Sequence, residues 1–380
     1  MEYELGELLP YEQPADYIVE STDYDDSYKT PVLTAGKSFI IGYTNETKGI
    51  YTKLPVIIFD DFTTSSQYVD FPFKVKSSAM KILSVNSEIA DLKYLFYKMQ
   101  TIQFDSANHK RYWISEYSKI KLDLPTLAEQ QRIVNRIETM FAKLDQAQEK
   151  AQTVLDSFET RKAAILHKAF NGQLKIDNEE LSIEDWEDTT IGECCRLGSG
   201  GTPSKSHPEY YENGDIPWLK TGEIDWNDIY DVEERITNEG VENSSAKIFP
   251  AESVVVAMYG MGVTRGKAAI IKIPTATNQA VCVLQPNEKL NNRFLFYYFM
   301  CNYWQIREQS VGGNQLNLSG KIIASFPIKL PPLNYQLSIV NFLDTVLEKE
   351  SRAKETSQTV LDQIALLKKS ILARAFRGEL

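Results

Sequence analysis

The chain has 380 residues, 43% hydrophobic, 24% charged and 11% aromatic, values that exclude a disordered, collagen-like or low-complexity polymer and favour more than one domain. No run approaches the roughly 18 apolar residues of a membrane helix, and the start Met1-Glu-Tyr-Glu-Leu5 lacks the basic and apolar regions of a signal peptide. A cytoplasmic protein without membrane contact is expected. Three histidines and four cysteines (Cys194, Cys195, Cys282, Cys301) show no metal-ligand spacing, which disfavours a metal- or histidine-dependent enzyme and leaves small buried thiols as the account of the cysteines.

The formal charge of −11 argues against a nucleic-acid partner until its distribution is read. The first 26 residues hold nine acids and no base, and Asp177–Glu242 holds 19 acids against four bases. Ser27–Leu124 carries 13 bases against nine acids, and Asn243–Leu330 nine against three. Acidic and basic surfaces are therefore expected to segregate within each half, and a local basic face binds phosphate even on an acidic molecule.

Residues 1–124 read as an α+β domain. Ser38-Phe-Ile-Ile-Gly42 and Pro55-Val-Ile-Ile-Phe59 are short apolar runs between turns and predict strands, while aromatic-rich Leu92–Met99 predicts a helix. Three predicted loops combine hydroxyls, bases and aromatics: Phe62–Ser66 with Thr64, Ser65 and Ser66; Lys74–Ala79 with Lys76, Ser77 and Ser78; and His109–Trp113 with Lys110 and Arg111. Lys37, after Pro31-x-Leu33-x-x-Gly36, joins them as a candidate DNA contact.

At residues 125–174 the period changes. Ile133, Ile137, Met140, Leu144, Ala147, Ala151, Val154 and Phe158 recur at steps of four and three, as a heptad seam requires. They predict a helix of about 40 residues and roughly 60 Å, opened by Leu124-Pro125 and stopped at Gly172. Residues 175–190, acidic and poor in apolar side chains, read as a linker.

Residues 191–330 read as a second α+β domain, with strands at Ser253–Met258 and Ala268–Ile273 and a helix at Arg293–Tyr303. Its candidate loops are Gly200–Lys205 with Thr202, Ser204 and Lys205; Lys220-Thr221; Tyr259–Lys267 with Tyr259, Arg265 and Lys267; and Gly312–Asn317 with Asn314 and Gln315. Lysine, arginine and hydroxyls suit phosphate oxygens, Asn, Gln and Arg suit base edges, and glycine admits a backbone close to a duplex. Residues 331–380 form a second seam helix through Ile339, Leu343, Val346, Glu350, Ala353, Ser357, Val360, Ile364, Leu367 and Ile371.

The two helices are copies. Residues 124–174 align without a gap on 330–380, with 23 of 51 positions identical. Fainter correspondences precede them: Leu5-Gly6-Glu7 with Ile191-Gly192-Glu193, Pro31-x-Leu33-x-x-Gly36 with Pro217-x-Leu219-x-x-Gly222, and Leu95-Phe96-Tyr97 with Leu295-Phe296-Tyr297. A common scaffold held constant beside two divergent domains predicts two separate specificities. Antiparallel packing of the helices would place the domains at opposite ends with a pseudo-two-fold axis. The small or polar seam centre (Ala147, Ala151, Glu350, Ser357) leaves room for partner helices.

Motifs that would carry catalysis fail. Leu197-Gly-Ser-Gly-Gly201 is followed by Thr-Pro-Ser-Lys-Ser-His-Pro, in which a helix N-terminus to hold a cofactor phosphate is not expected. Val56-Ile-Ile-Phe-Asp60-Asp61 resembles an ATPase metal strand, but no complete Gly-x-x-x-x-Gly-Lys-Ser/Thr phosphate loop accompanies it, since Pro31 stands where Gly36-Lys37-Ser38 would need a glycine; a buried strand ending in a polar loop explains it better. No Asn-Pro-Pro-Tyr or Asp-Pro-Pro-Tyr is present, and Asp91-Leu-Lys93 is what any helix start spells.

Leu124-Pro-x-Leu-Ala-Glu-Gln-Gln-Arg-Ile-Val134, Ala375-Phe-Arg-Gly-Glu-Leu380, Gly200-Gly-Thr-Pro203, Ile216-Pro-Trp-Leu219, Asn278-Gln279 and Gly312-Gly-x-Gln315 together make the chain resemble the specificity subunits of type I restriction–modification systems. The resemblance implies an α+β fold with two target-recognition domains, at 1–124 and 191–330, separated by two long antiparallel coiled-coil helices at 125–174 and 331–380. It implies that each domain reads half of a split double-stranded DNA target, and that the chain is not itself an enzyme and binds no cofactor. S-adenosylmethionine, ATP and magnesium would sit on two methyltransferase subunits and on motor–nuclease subunits. Docking of the methyltransferases on the helices points to Leu127, Gln130, Ile133, Phe170, Leu333, Gln336, Ile339 and Phe376 as partner-binding residues. Two departures stand: the segment that precedes Ile191-Gly192, with Trp186, has no counterpart before Leu5-Gly6, which suggests a trimmed or alternative start, and Asn334-Tyr-Gln-Leu337 replaces Ala128-Glu-Gln-Gln131. The competing expectation is a coiled-coil interaction scaffold that does not touch DNA.

Overall fold

A computed structural model describes residues 2–36, 38–104, 111–176, 179–180, 183–260, 262–312 and 316–380. The chain divides into two compact units, Met1–Thr153 with Ser357–Leu380, and Val154–Thr356. The boundaries fall inside the two long helices, Leu127–Phe170 and Leu333–Ala375, which have 44 and 43 residues. At 1.5 Å per residue each is about 65 Å long. Gly172 and Gly378 follow their ends at φ 64° and 76°, the left-handed conformation that makes glycine the natural stop.

In the first unit an antiparallel sheet runs in the order Tyr11–Glu12, Met80–Leu83, Val56–Asp60, Ser66–Val69. A second sheet runs Ile40–Thr44, Thr30–Leu33, Lys74–Val75. The run at 55–59 is a central strand of the first sheet. Val56 and Ile58 enter one core with Leu33, Tyr51 and Phe73, while Ile57 and Phe59 enter another with Leu5, Leu95 and Trp113. Burial on both faces is why the run shows no polar alternation.

The second unit repeats the logic with a larger sheet, ordered Cys195–Ser199, Val281–Pro286, Val254–Ala257, Ala268–Ile271, Asp228–Ile229. Val254 and Val256 face one core, Val255 and Ala257 the other. A four-stranded sheet runs Arg235–Ile236, Ile216–Leu219, Thr275–Thr277, Ile248–Phe249. The helix expected at 293–303 is Asn292–Cys301, followed after Asn302 by a separate turn and a half, Tyr303–Glu308.

The faint repeat at the start of each domain has a steric origin. Glu2–Glu4 pairs antiparallel with Lys121–Asp123, and Glu187–Thr190 with Pro327–Leu330. Each strand feeds a single helical turn, Leu5–Leu8 or Ile191–Cys194, closed by a reciprocal cap through Glu7 or Glu193. A Cβ on Gly6 would stand 2.9 Å from Ser118 Cβ, and one on Gly192 3.1 Å from Ala324 Cβ. The linker expected at 175–190 is therefore corrected: its end is the paired strand Glu187–Thr190, and Trp186 is buried in the second unit's core.

Within each unit the helical segments run antiparallel. In the first, Ile137 packs with Leu372 and Ala375, and Asp145 Oδ1 lies 2.5 Å from Lys368 Nζ. In the second, Glu350 meets Arg161 at 2.8 Å and Lys354 Nζ lies 4.5 Å over the Phe158 ring. Glu350, expected to leave room for a partner, is thus paired internally. The expected seam also slips: Ala353 and Leu367 are exposed, and the buried line passes from Ile364 to Leu372. An α-helix drifts about 20° per heptad against a strict seven-residue repeat, so a straight seam is not sustained.

Candidate nucleic-acid interface

Three loops singled out in the first domain converge on Asp61. Its N–H donates to Ala79 O at 2.9 Å, its carbonyl accepts from Tyr112 N at 2.8 Å, and its Oδ1 accepts from Trp113 N at 2.7 Å. Asp61 is 1% exposed and its Oδ2 lies 3.2 Å from Nζ of the fully buried Lys81, which donates instead to Gln13 Oε1 at 3.1 Å. A buried carboxylate with a countercharge and one amide on its Oδ1, in a residue whose backbone is bonded on both sides, holds its shape, so the turns at 62–66, 76–79 and 111–113 form one surface. The strand end that resembled a metal site is this anchor.

The upper turn is tight. Asp60 Oδ1 accepts from Phe62 N at 2.9 Å and Thr63 N at 3.0 Å, and Thr64 sits at φ 58°. Thr64, Ser65 and Ser77 are partly exposed, and Lys76, Ser78 and Arg111 are exposed. Ser66 is corrected: it is buried, and its Oγ accepts from Gln100 Nε2 at 2.8 Å, so it braces the turn from within. Lys37 and Lys110 lie outside the described residues.

The second domain gathers its loops through backbone bonds. Met258 N donates to Ala280 O at 2.8 Å, Leu318 N to Met258 O at 3.0 Å, and Asn278 N to Leu219 O at 3.1 Å. Thr202 Oγ1 donates to Gln279 Oε1 at 2.5 Å, and Trp218 Nε1 to Gly201 O at 3.0 Å. The glycines at 200 and 201 serve the interior: a Cβ would stand 1.9 Å from Thr277 O or 2.0 Å from Ser245 Oγ. Close approach to a duplex is not what demands them. Thr202, Ser204, Lys205 and Tyr259 are exposed and Thr221 is partly so.

Two bases are corrected. Lys220 pairs with Glu234 at 2.6 Å, and Lys267 bonds to Asp225 with only 15% of its side chain exposed, so neither offers a free charge to phosphate. Arg265 donates to Leu316 O and is partly exposed, its charge opposed first by burial and then by Arg307. Arg307, which no sequence signal marked, donates to Gly262 O at 2.7 Å, to Arg265 O and to the Tyr303 hydroxyl, and so braces the 259–267 loop from within at Gly262 and Arg265. Asn314 and Gln315 lie outside the described residues.

The residues expected to dock partners are mostly interior. Gln130, Gln336 and Ile339 are fully buried. Phe170 packs 5.0 Å from Phe294 and Phe376 5.2 Å from Tyr94, ring centre to ring centre, so the phenylalanine ending each helix seats on an aromatic helix of a recognition domain. Ile133 is half-buried against the first unit's core. Of the set, Leu333 remains exposed and Leu127 partly so. Asp91 is the N-cap of Leu92–Met99, accepting from Tyr94 N at 2.9 Å, and Lys93 pairs with Glu138 at 2.5 Å. Burial pushes the thiols of Cys195 and Cys282 up to about 12 and that of Cys301 to about 11, leaving them protonated and unreactive at neutral pH.

Comparison with known proteins agrees in extent and kind. The profile of the type I restriction modification DNA specificity domain matches residues 1–155 and 183–362. The chain is 37% identical over 358 residues to the EcoR124I/EcoR124II specificity subunit of Escherichia coli, covering 90% of this chain and 85% of that one. Its fold matches a solved type I restriction–modification structure with a TM-score of 0.71 at 17% identity, covering 100% of this chain and 98% of the other. It also matches the HsdS subunit of Thermoanaerobacter tengcongensis with a TM-score of 0.62 at 18% identity, covering 100% and 97% of the two chains.

Proposed function

The chain belongs to the type I restriction–modification DNA specificity family, and from that premise we propose that each of its domains reads one half of a bipartite double-stranded DNA target. The chain is the recognition subunit of such a complex and leaves chemistry to its partners. The observation that carries the reading is the gathering, in both domains, of polar loops distant in sequence into one surface, around Asp61 in the first and around Met258 in the second. In this proposal two methyltransferase subunits supply S-adenosylmethionine and motor–nuclease subunits supply ATP and magnesium. Leu333 and Leu337 in the second unit, and separately Leu366 and Leu367 in the first, are exposed apolar side chains offered to protein partners. The lengths of the helices set the spacer between half-sites.

The test is selection from a random duplex library by the chain co-purified with its methyltransferase. Arg111→Ala should relax base preference in one half-site only and Arg265→Ala in the other, by about 1–3 kcal/mol per affected base pair. Equal binding to all sequences, or relaxation of both halves by either variant, would favour the interaction scaffold.

A further inference from the structure

Gln130 and Gln336 occupy equivalent positions in the first turns of the two long helices and are 0% exposed. Each makes the same set of bonds. Gln130 Oε1 accepts from Asp91 N at 2.8 Å, and its Nε2 donates to Ile89 O at 3.2 Å and Pro125 O at 3.0 Å. Gln336 Oε1 accepts from Asn291 N at 2.8 Å, and its Nε2 donates to Lys289 O at 2.7 Å and Pro331 O at 2.8 Å. A carboxamide held through its oxygen and both amide protons has no free rotation left.

What it holds is specific. Asp91 and Asn291 are the N-caps of the aromatic helices Leu92–Met99 and Asn292–Cys301, accepting from Tyr94 N and Phe294 N. Each glutamine therefore pins the cap of a recognition-domain helix to the first turn of the long helix that follows. The same aromatic helix receives Phe376 in the first unit and Phe170 in the second. Neighbouring contacts differ: Lys93 pairs with Glu138 in the first unit, whereas the Tyr297 hydroxyl bonds Asp344 in the second. The glutamine bonds and the phenylalanine seat are kept while these side-chain pairs differ.

Two domains of different specificity share only what both require. If helix length sets the spacer, as proposed above, that length is usable only when each domain keeps one angle on its helix; a joint loose by about 1 Å blurs the distance it is meant to define. We infer that Gln130 and Gln336 are positioning residues that lock each recognition domain on its helix and thereby set discrimination of spacer length, without contacting DNA. The inference rests on the proposed function.

Gln130→Met and Gln336→Met, made singly in the full chain with its methyltransferase, test it on duplexes with the native spacer and with one base pair more or fewer. Half-site base preference should stay as in wild type, while discrimination between spacer lengths falls roughly tenfold, the factor carried by one to two net hydrogen bonds. Hydrogen exchange at the Asp91 or Asn291 amide should quicken in the matching variant. Gln131→Met, on the exposed side of the same turn, should leave all three readings unchanged. Faster exchange with wild-type spacer discrimination, or a loss of base preference, would overturn the inference. A wild-type chain with no bipartite preference would remove the proposed function and the spacing role with it, and is told apart because the amides remain protected. Should one variant fail to fold, the other decides.

Discussion

Lys81 stands inside the apolar strand Met80–Leu83 and is fully buried beside Asp61. A charge in such a run is a sequence signal for a buried pair, but its partner, 20 residues away, was not legible. Asp61→Asn leaves Lys81 uncompensated and should lower stability by about 3–5 kcal/mol, seen as a fall in urea midpoint. Adding Lys81→Met should recover part of that loss; a double variant weaker than the single one would show that the pair is not the anchor. Glu46 gives a pH dependence. Burial raises its carboxyl, but the bonds from Lys74 Nζ, Ser21 N and Glu20 N outweigh this and hold it below its ordinary 4.5. Its contribution is therefore complete above the unfolded value and lost as pH falls through the lowered native one. Glu46→Gln should flatten the stability profile below pH 4.5; an unchanged acid limb would contradict this.

At the scale of elements, periodicity revealed the long helices almost to their ends, because a seam is a repeated local pattern. The resemblance implied a partner-docking role for Phe170, Phe376, Gln130 and Gln336, which are instead turned to the chain's own domains. Their recurrence was visible, but their partners are loops and helices 39 to 282 residues away, from Gln130 to Asp91 and from Phe376 to Tyr94. Recurrence marks a constraint without saying whether a foreign subunit or the chain's own domain imposes it. Phe170→Ala removes a buried ring and should destabilise the second unit by about 3–5 kcal/mol, read as faster hydrogen exchange in Asn292–Cys301. Exchange unchanged there would mean the helix end is not seated. The candidate loops were legible as polar turns, and Thr64, Ser65, Lys76 and Arg111 do share one surface. The ion pairs that occupy Lys220 and Lys267 were not, since opposite charges distant in sequence leave no local pattern.

For the whole molecule, the doubling of the chain is the feature that the sequence declared most openly, through 23 identities in 51 aligned positions. In the proposed function its consequence is a target in two parts. Removing one heptad from each long helix shortens it by about 10 Å, about three base pairs of duplex, and should narrow the spacer while leaving the bases read unchanged. Changed half-site bases with an unchanged spacer would refute helix length as the ruler. The most direct measurement is methylome sequencing of a host that expresses the chain with its methyltransferase. The account predicts one methylated motif made of two short half-sites with a fixed, unspecified gap; a single contiguous motif, or none, would contradict it.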